Sequence, residues 1–523
     1  MPRTASNPSG RTMWTDELPI VPKNTIIQIQ AVKELNHSHN GHLVQQITGS
    51  GSPVTRTYIK VFAALKLIGQ LQRLPAFIKA GISDQELPLA NDFDQPGRAH
   101  LCMQSKKPLP SGFFDWDHGS LFETYQHVVV IPFFGKQDQP YDFSWAKVFP
   151  YSIINQSDEL VGAYGSVSKI QIHPLCHSFD ERDVFALKQL HDNSDLDSFQ
   201  REVEMLRRFN NPAHPHVVKL LASFRRDNGH FLIFPWASHD LWMYWKEFQP
   251  EPDPGNAELV QWICYQARML VEAISRIHDI PLDSGAAEHE YGRHGDLKPE
   301  NILWYESQEG FGRLVIADLG LSKAHRFQSK SYSIRKPVRV TPRYRPPEAV
   351  YSGGRMGPVF DVWALGCMFL EMLSWLNGGY RQLEVLEDKI TTPSLNGTDT
   401  DEYYEWVHVL DGNFYSIRVK KAATEWIHTL RENCSQFVYD FLNIIEDHML
   451  VAERDDRMSA EELVKKIKDL DGKCKETNYC VRKERHERRS GPKPRLPPRG
   501  FRKGINVQSE GKNIREVASV NST

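Results

Sequence analysis

The chain has 523 residues, a formal net charge of −3 and 25% charged residues. At about 150 residues per domain, this length accommodates two to four domains. Its seven cysteines are Cys102, Cys176, Cys264, Cys367, Cys434, Cys474 and Cys480. Their odd number and the lack of any C-x-x-C pair argue against a disulfide framework or zinc ribbon and for a reducing compartment. The start, MPRTASNPSGRT, lacks the apolar core of a secretory leader. No apolar run of about 18 residues stands out, so neither a spanning helix nor membrane contact is expected. Charge is unevenly spread: Gly472 to Thr523 hold 14 Lys/Arg against five Asp/Glu, a net +9, which leaves −12 on residues 1–471.

Residues 1–20 are polar and rich in Pro, Ser and Thr, and are expected to be disordered. Residues 21–145 read as a partly helical N-terminal extension. Val61, Leu65, Ile68 and Leu71 recur at helical spacing, and Gly81 is a stop. LFETYQHVVVIPFF (121–134) predicts a strand, and the turn-rich GKQDQPYDFSW (135–145) a connector. From Phe149 the texture changes to short alternating runs, ELVGAYGSVSKIQI, DVFALKQL, HVVKLLASF and GHFLIFPW, which read as an antiparallel sheet. One helix, LDSFQREVEMLRRF (196–209), interrupts them, with Phe199, Val203 and Leu206 on one face. After Asn256 the patterns are mostly helical. A β-rich half followed by an α-rich half predicts a two-lobed plan, and clefts between lobes favour ligands.

The chemistry-bearing signal is HGDLKPEN (294–301). Moving a γ-phosphoryl group to a hydroxyl needs a proton acceptor, cations on the phosphates and oxygen ligands for magnesium. Asp296 suits the first role, Lys298 the second and Asn301 the third. A chance match is the bland alternative, and eight ordered positions argue against it. In VIADLGLSK, Asp318 follows an apolar run 17 residues past Asn301 and supplies a hard carboxylate for the same metal. DVFALK places Lys188 on a strand, and Glu202 lies on the helix downstream; together they suit anchoring of the α- and β-phosphates. LVGAYGSV resembles a glycine-rich phosphate cover, with Gly162, Gly165 and Val167 in register and Leu160 where the first glycine stands.

These residues, in this order, resemble the eukaryotic protein kinases over about residues 150–471. TPRYRPPEAV (341–350), with Pro346 as the variant position, DVWALGCMFLEM (361–372) and RDDRMSAEEL (454–463) extend the likeness. The resemblance implies an α+β, two-lobed protein-kinase-like fold, with a β-rich N-lobe at 150–236 and a helical C-lobe at 237–471. The helical extension would precede it and a disordered basic tail, 472–523, would follow. It implies ATP and Mg2+ as cofactors and protein substrates as partners. Asp361 would hold the catalytic-loop backbone, and Glu348 and Arg457 would form a buried pair. Val167, Ala186 and Leu303 would enclose the adenine, Phe234 would guard the back of the pocket, and Pro235, Trp236 and Ala237 would form the hinge. Leu206, Leu220, His294 and Leu319 would build an apolar column. Lys298 and Thr341 are similar to the serine/threonine-directed members of the family.

In many relatives an arginine precedes the catalytic aspartate and pairs with an activation-segment phosphate. Here that residue is Gly295. Asp318 to Glu348 includes Ser329, Ser331, Tyr332 and Ser333 beside several basic residues, which read either as a solvated loop or as a phosphosite with other partners. Activity without activation-loop phosphorylation is expected. Leu160, Gly295 and Leu319 keep a pseudokinase scaffold open as the alternative. Two stretches, 279–292 and 377–433, read as insertions, the second either as a dock for a substrate or, the favoured reading, as an elaboration of the helical lobe. The 61–89 region looks like a segment that precedes kinase domains in filamentous-fungal proteins. The tail offers a nuclear import signal, a nucleic-acid contact or an SH3-type ligand, so cytoplasm and nucleus both remain open.

Overall fold

The computed structural model describes residues 57–92, 100–102, 109–110, 113–135, 139–143, 148–154, 160–162, 165–179, 184–190, 196–279, 281–282, 290–308, 310–319, 342–350, 357–394, 397–409, 414–486, 505–507 and 514–516. Thr341, the serines at 329–333 and the first 56 residues lie outside them. The chain divides into two compact units, residues 1–196 with 221–235, and residues 197–220 with 236–523.

The first unit begins with three helices, α1 (Ile59–Leu67), α2 (Leu74–Ala80) and α3 (Trp116–Val129). The free amides of a helix start need acceptors. At α1 the Asp84 carboxylate accepts from the amides of Ile59 (2.9 Å), Lys60 (2.8 Å) and Val61 (3.1 Å), a cap supplied from 25 residues away. Gly81 closes α2 in the left-handed region at φ 71°, as a helix-ending glycine does. Val61, Leu65, Leu74, Phe77, Phe122 and Val129 form a core for these helices.

The strand expected over 121–134 is instead mostly helix α3. Asp115 caps it by accepting from the His118 amide (2.9 Å). Phe122, Gln126 and Val129 turn inward at helical spacing, all under 3% exposed. Gln126 also exchanges hydrogen bonds with the backbone of Leu89. A cap and a 3.6-residue period thus outweigh the β-branched run Val128–Val130, which falls in the last turn.

The rest of the unit is a sheet of β1 (Tyr141–Phe143), β2 (Tyr151–Ile153), β3 (Leu160–Gly162), β4 (Gly165–Ile172), β5 (Val184–Leu190), β6 (Ala222–Arg226) and β7 (Gly229–Pro235). The strand order is β1-β6-β7-β5-β4-β2, with β3 paired to β4. The expected connector 135–145 contributes β1, which runs parallel to β6 with Tyr141 opposite Phe224. Phe134, Phe149, Phe185 and Phe224 pack with Ile170, Ile172 and Ile233 beneath it. Aromatic burial gives this segment a reason to extend despite its turn-rich composition.

The second unit is mostly helical: α4 (Leu196–Phe209, largely within it), α5 (Ala257–Asp279), α6 (Val359–Ile390), α7 (Lys421–Arg431), α8 (Gln436–Ile444), α9 (Ala460–Lys473) and α10 (Thr477–Val481). A small antiparallel sheet, β8 (His239–Asp240), β9 (Ile302–Tyr305) and β10 (Arg313–Ile316), lies in the same unit. By length and hydropathy α6 would suffice to cross a bilayer, which corrects the expectation of no such apolar run. Yet 94% of that window is buried within the protein, as in a core helix. Non-helical Gly378 and Gly379 break α6, and a Cβ on Gly379 would lie 2.4 Å from the Pro250 carbonyl oxygen.

The 377–433 insertion comprises the end of α6, a hairpin of β11 (Tyr404–Val409) and β12 (Phe414–Val419), and α7. Leu383, Leu386, Ile390, Tyr403 and Trp426 are buried, so it elaborates the core of this unit. Ordered structure also continues past 472, where a disordered tail was expected. The Tyr479 hydroxyl donates to Asp440 (2.8 Å), Lys483–Glu484 pairs with Cys434–Ser435, and the His486 ring stacks on Tyr439 at 4.2 Å.

Candidate active site

Within the second unit, three of the expected catalytic residues converge on one loop. Asp296 is 6% exposed. Lys298 Nζ lies 3.3 Å from its Oδ2. Asn301 Nδ2 donates to the Asp296 carbonyl (2.7 Å) and to Oδ2 (3.1 Å). Both contacts use the amide nitrogen, leaving the Asn301 amide oxygen as a hard donor. The Ala317 amide donates to the Asn301 carbonyl (2.9 Å), which brings Asp318 beside this loop. Asp318 stands at φ 56°, a conformation non-glycine residues adopt rarely and often at functional sites. An amide oxygen just before β9 and a carboxylate two residues past its partner strand β10 fit a hard divalent cation.

The loop is suspended from one buried carboxylate. Asp361 on α6 has no exposure and accepts from the amides of His294 and Gly295, each at 2.8 Å, and lies 2.8 Å from His278 Nε2. Burial pushes the Asp361 carboxyl upward. The bonds from His278 and the loop amides outweigh it and hold the group below the usual carboxylate value. His278, in the last turn of α5, escaped the sequence reading, since one buried histidine at a helix end carries no motif. Gly295 sits at φ 85°. A side chain there would bear left-handed backbone strain, so glycine has a local backbone reason for this position. His294 is fully buried and reaches the Ala317 carbonyl at 2.8 Å. Leu206 and Leu319 are buried too, and Leu220 is half-buried.

The 342–350 segment is tied down by side chains. Glu348 and Arg457 form a two-pronged pair, 2.7 and 3.1 Å, with neither side chain exposed. Arg457 also donates to the carbonyls of Val359 and Val451 and lies over the Trp363 ring. Glu371, unmarked in the sequence reading, accepts from Arg343 Nε (2.8 Å) and from the hydroxyls of Tyr344 and Tyr403 (3.0 Å each).

In the first unit, β3 and β4 form a tight hairpin with Leu160 opposite Val167 and Gly162 opposite Gly165. A Cβ on Gly165 would lie 2.0 Å from the Gln189 carbonyl oxygen, so close strand approach requires the glycine. Val167 pairs with Lys188, and Ala186 with Phe234. Lys188 and Ala186 are half-buried, as are Phe234 and Pro235 at the end of β7. In the second unit, Trp236, Ala237, Leu303 on β9 and Glu202 on α4 are likewise half-buried.

A β-rich unit with a glycine hairpin and a strand lysine, and a helical unit carrying Asp296, Lys298, Asn301 and Asp318, are the parts of the two-lobed protein kinase fold. The chain belongs to the protein kinase family: the model described as "Protein kinase domain" matches residues 161–467. It is similar to cyclin-dependent kinase 8 of Drosophila melanogaster, 30% identical over 215 residues, covering 41% of this chain and 44% of the relative. CTD kinase subunit alpha of Schizosaccharomyces pombe is 27% identical over 300 residues, 55% of this chain and 44% of that one. Cyclin-dependent kinase 12 of Caenorhabditis elegans is 26% identical over 345 residues, 61% and 41% respectively. The match spans less than half the length of each relative.

Proposed function

We propose that this chain transfers the γ-phosphoryl group of ATP to serine and threonine hydroxyls of proteins, and does so without a phosphate on its activation segment. The convergence of Asp296, Lys298 and Asn301 on a loop held by Asp361 carries the reading. Asp296 accepts the hydroxyl proton, and Lys298 neutralises charge on the transferring group. Asn301 and Asp318 would hold the magnesium, which supplies charge neutralisation on the phosphates. Lys188 and Glu202 serve the α- and β-phosphates, while Leu160, Gly162 and Gly165 cover them. Val167, Ala186, Leu303, Phe234, Pro235, Trp236 and Ala237 receive the adenine. Thr341 and Lys298 shape the site for a small alcohol. Because Asp361 already fixes the loop through two amides, and the loop's turn needs a residue at φ 85°, Gly295 costs the loop no catalytic group.

The relatives' names point to kinases of the cyclin-dependent kind, and the basic tail favours a nuclear setting. The test is phosphorylation of a peptide array by the purified chain with Mg-ATP, with Asp296→Asn as control. Label on Ser/Thr peptides that vanishes in the variant supports the reading. Nucleotide binding with no label in either protein would establish the pseudokinase scaffold instead.

A further inference from the structure

The segment 342–350, which the kinase reading places on the peptide side of the site, has little backbone structure of its own. It consists of two single turns, Pro342–Tyr344 and Pro347–Ala349. Its shape therefore depends on side-chain tethers. Two of these run into the helical core, Arg343 and Tyr344 to Glu371, and Glu348 to Arg457. The third runs elsewhere. Arg345 pairs with Glu402, which precedes the insertion hairpin, and the buried Tyr404 lies close to both.

The insertion is rigid where it grips. The buried Lys420 ammonium donates to the carbonyls of Ile390 (2.8 Å) and Thr400 (3.0 Å), and its amide donates to the Tyr403 carbonyl (2.9 Å). Tyr403 in turn donates to Glu371 (3.0 Å). Residues 400–404 are thus fixed to α6 and hold the Glu402 carboxylate against Arg345. The Arg345 and Glu402 side chains are 24% and 12% exposed, unlike the fully enclosed Glu348–Arg457 pair. A pair near solvent adds little to folding, whereas its geometry and charge face whatever lies on the segment.

We propose that Glu402 is a positioning and specificity residue for the protein substrate: it orients Arg345 on the peptide-side segment and neutralises it, so that the site does not select acidic residues near the acceptor hydroxyl. This rests on the protein-kinase reading above. Without Glu402 the Arg345 guanidinium is a loosened, partly exposed cation, and carboxylates of the substrate become its available partners.

The test compares wild type, Glu402→Gln and Glu402→Asp on neutral and acidic peptides. Glu402→Gln is expected to raise the KM for a neutral peptide about fivefold or more. The ATP KM, kcat and thermal midpoint should stay close to wild type, and the array preference should shift toward Asp and Glu. Glu402→Asp should recover most of the loss. Hydrogen exchange of the 342–350 amides reads the tether without catalysis and should quicken in Glu402→Gln while 361–372 stays unchanged. Unchanged exchange overturns the positioning role, even for an inactive chain. Equal losses in both KM values, kcat and thermal midpoint overturn it too, as a purely structural effect. A wild type that labels no peptide overturns only the kinase reading.

Discussion

Replacing Glu348 by glutamine removes one charge from a pair that has no contact with water. Both side chains have zero exposure, and the two bonds measure 2.7 and 3.1 Å. The variant leaves the Arg457 guanidinium buried against Trp363 and the carbonyls of Val359 and Val451 without its counter-charge. Breaking one side of a buried pair costs about 3–5 kcal/mol, a large share of a net stability of about 5–15 kcal/mol. At about 2–4 °C per kcal/mol for units of this size, the midpoint should fall by roughly 6–20 °C. Glu461→Gln is the matched control. Glu461 pairs with Lys465 at 3.1 Å, but the side chains are 72% and 71% exposed. That change should stay within about 0.5 kcal/mol. Denaturant unfolding monitored by fluorescence measures both. The double variant Glu348→Leu/Arg457→Met should recover much of the loss, since no lone charge stays buried. A loss below about 1 kcal/mol for Glu348→Gln would refute the reasoning, because it would place the pair in contact with water.

Two further outcomes follow from the same physics. Burial lowers the His216 imidazole from 6.5 to about 4, and the residue is 1% exposed. The unfolded chain therefore binds this proton first, so stability present above pH 6.5 drains as the pH falls toward 4, by up to about 3 kcal/mol. His216→Phe should flatten the stability profile between pH 7 and 5, and an unchanged slope would remove His216 as its source. Asp361→Asn should cut kcat about a hundredfold or more while leaving the nucleotide KM within a few-fold, because the loop carrying Asp296 loses its two-amide anchor. Steady-state kinetics checks it, and a kcat within threefold of wild type would contradict the anchoring role.

Sequence patterns marked the glycine hairpin, the Lys188 strand, the 294–301 loop and the Glu348–Arg457 pair, because each is either a short ordered run or a family spacing. The structure departs from those patterns where the cause is remote or conformational. Helix α3 owes its state to the Asp115 cap and the inward period of Phe122, Gln126 and Val129, which a hydrophobic run of strand length concealed. Strand β1 extends because Tyr141 finds Phe224, 83 positions away, and no local window contains that pairing. Gly295 read as a missing arginine, whereas its φ of 85° supplies a backbone reason for glycine that composition cannot register. Arg345 and Glu402 are 57 residues apart and join two segments that looked unrelated. The first residues past 472 looked like solvated tail, yet Tyr479 and His486 each find a partner in the 439–440 turn of α8.

The central claim is that the 294–301 loop works without a phosphate-bound switch. Its most direct test is the rate of the phosphatase-treated chain, verified by mass spectrometry to carry no phosphate between 320 and 341, alongside the Ser329, Ser331 and Ser333 triple alanine variant. The account predicts Mg-dependent transfer to Ser/Thr peptides at nearly the untreated rate in both, abolished by Asp296→Asn. A thousandfold fall on removing the phosphates or the serines would contradict it.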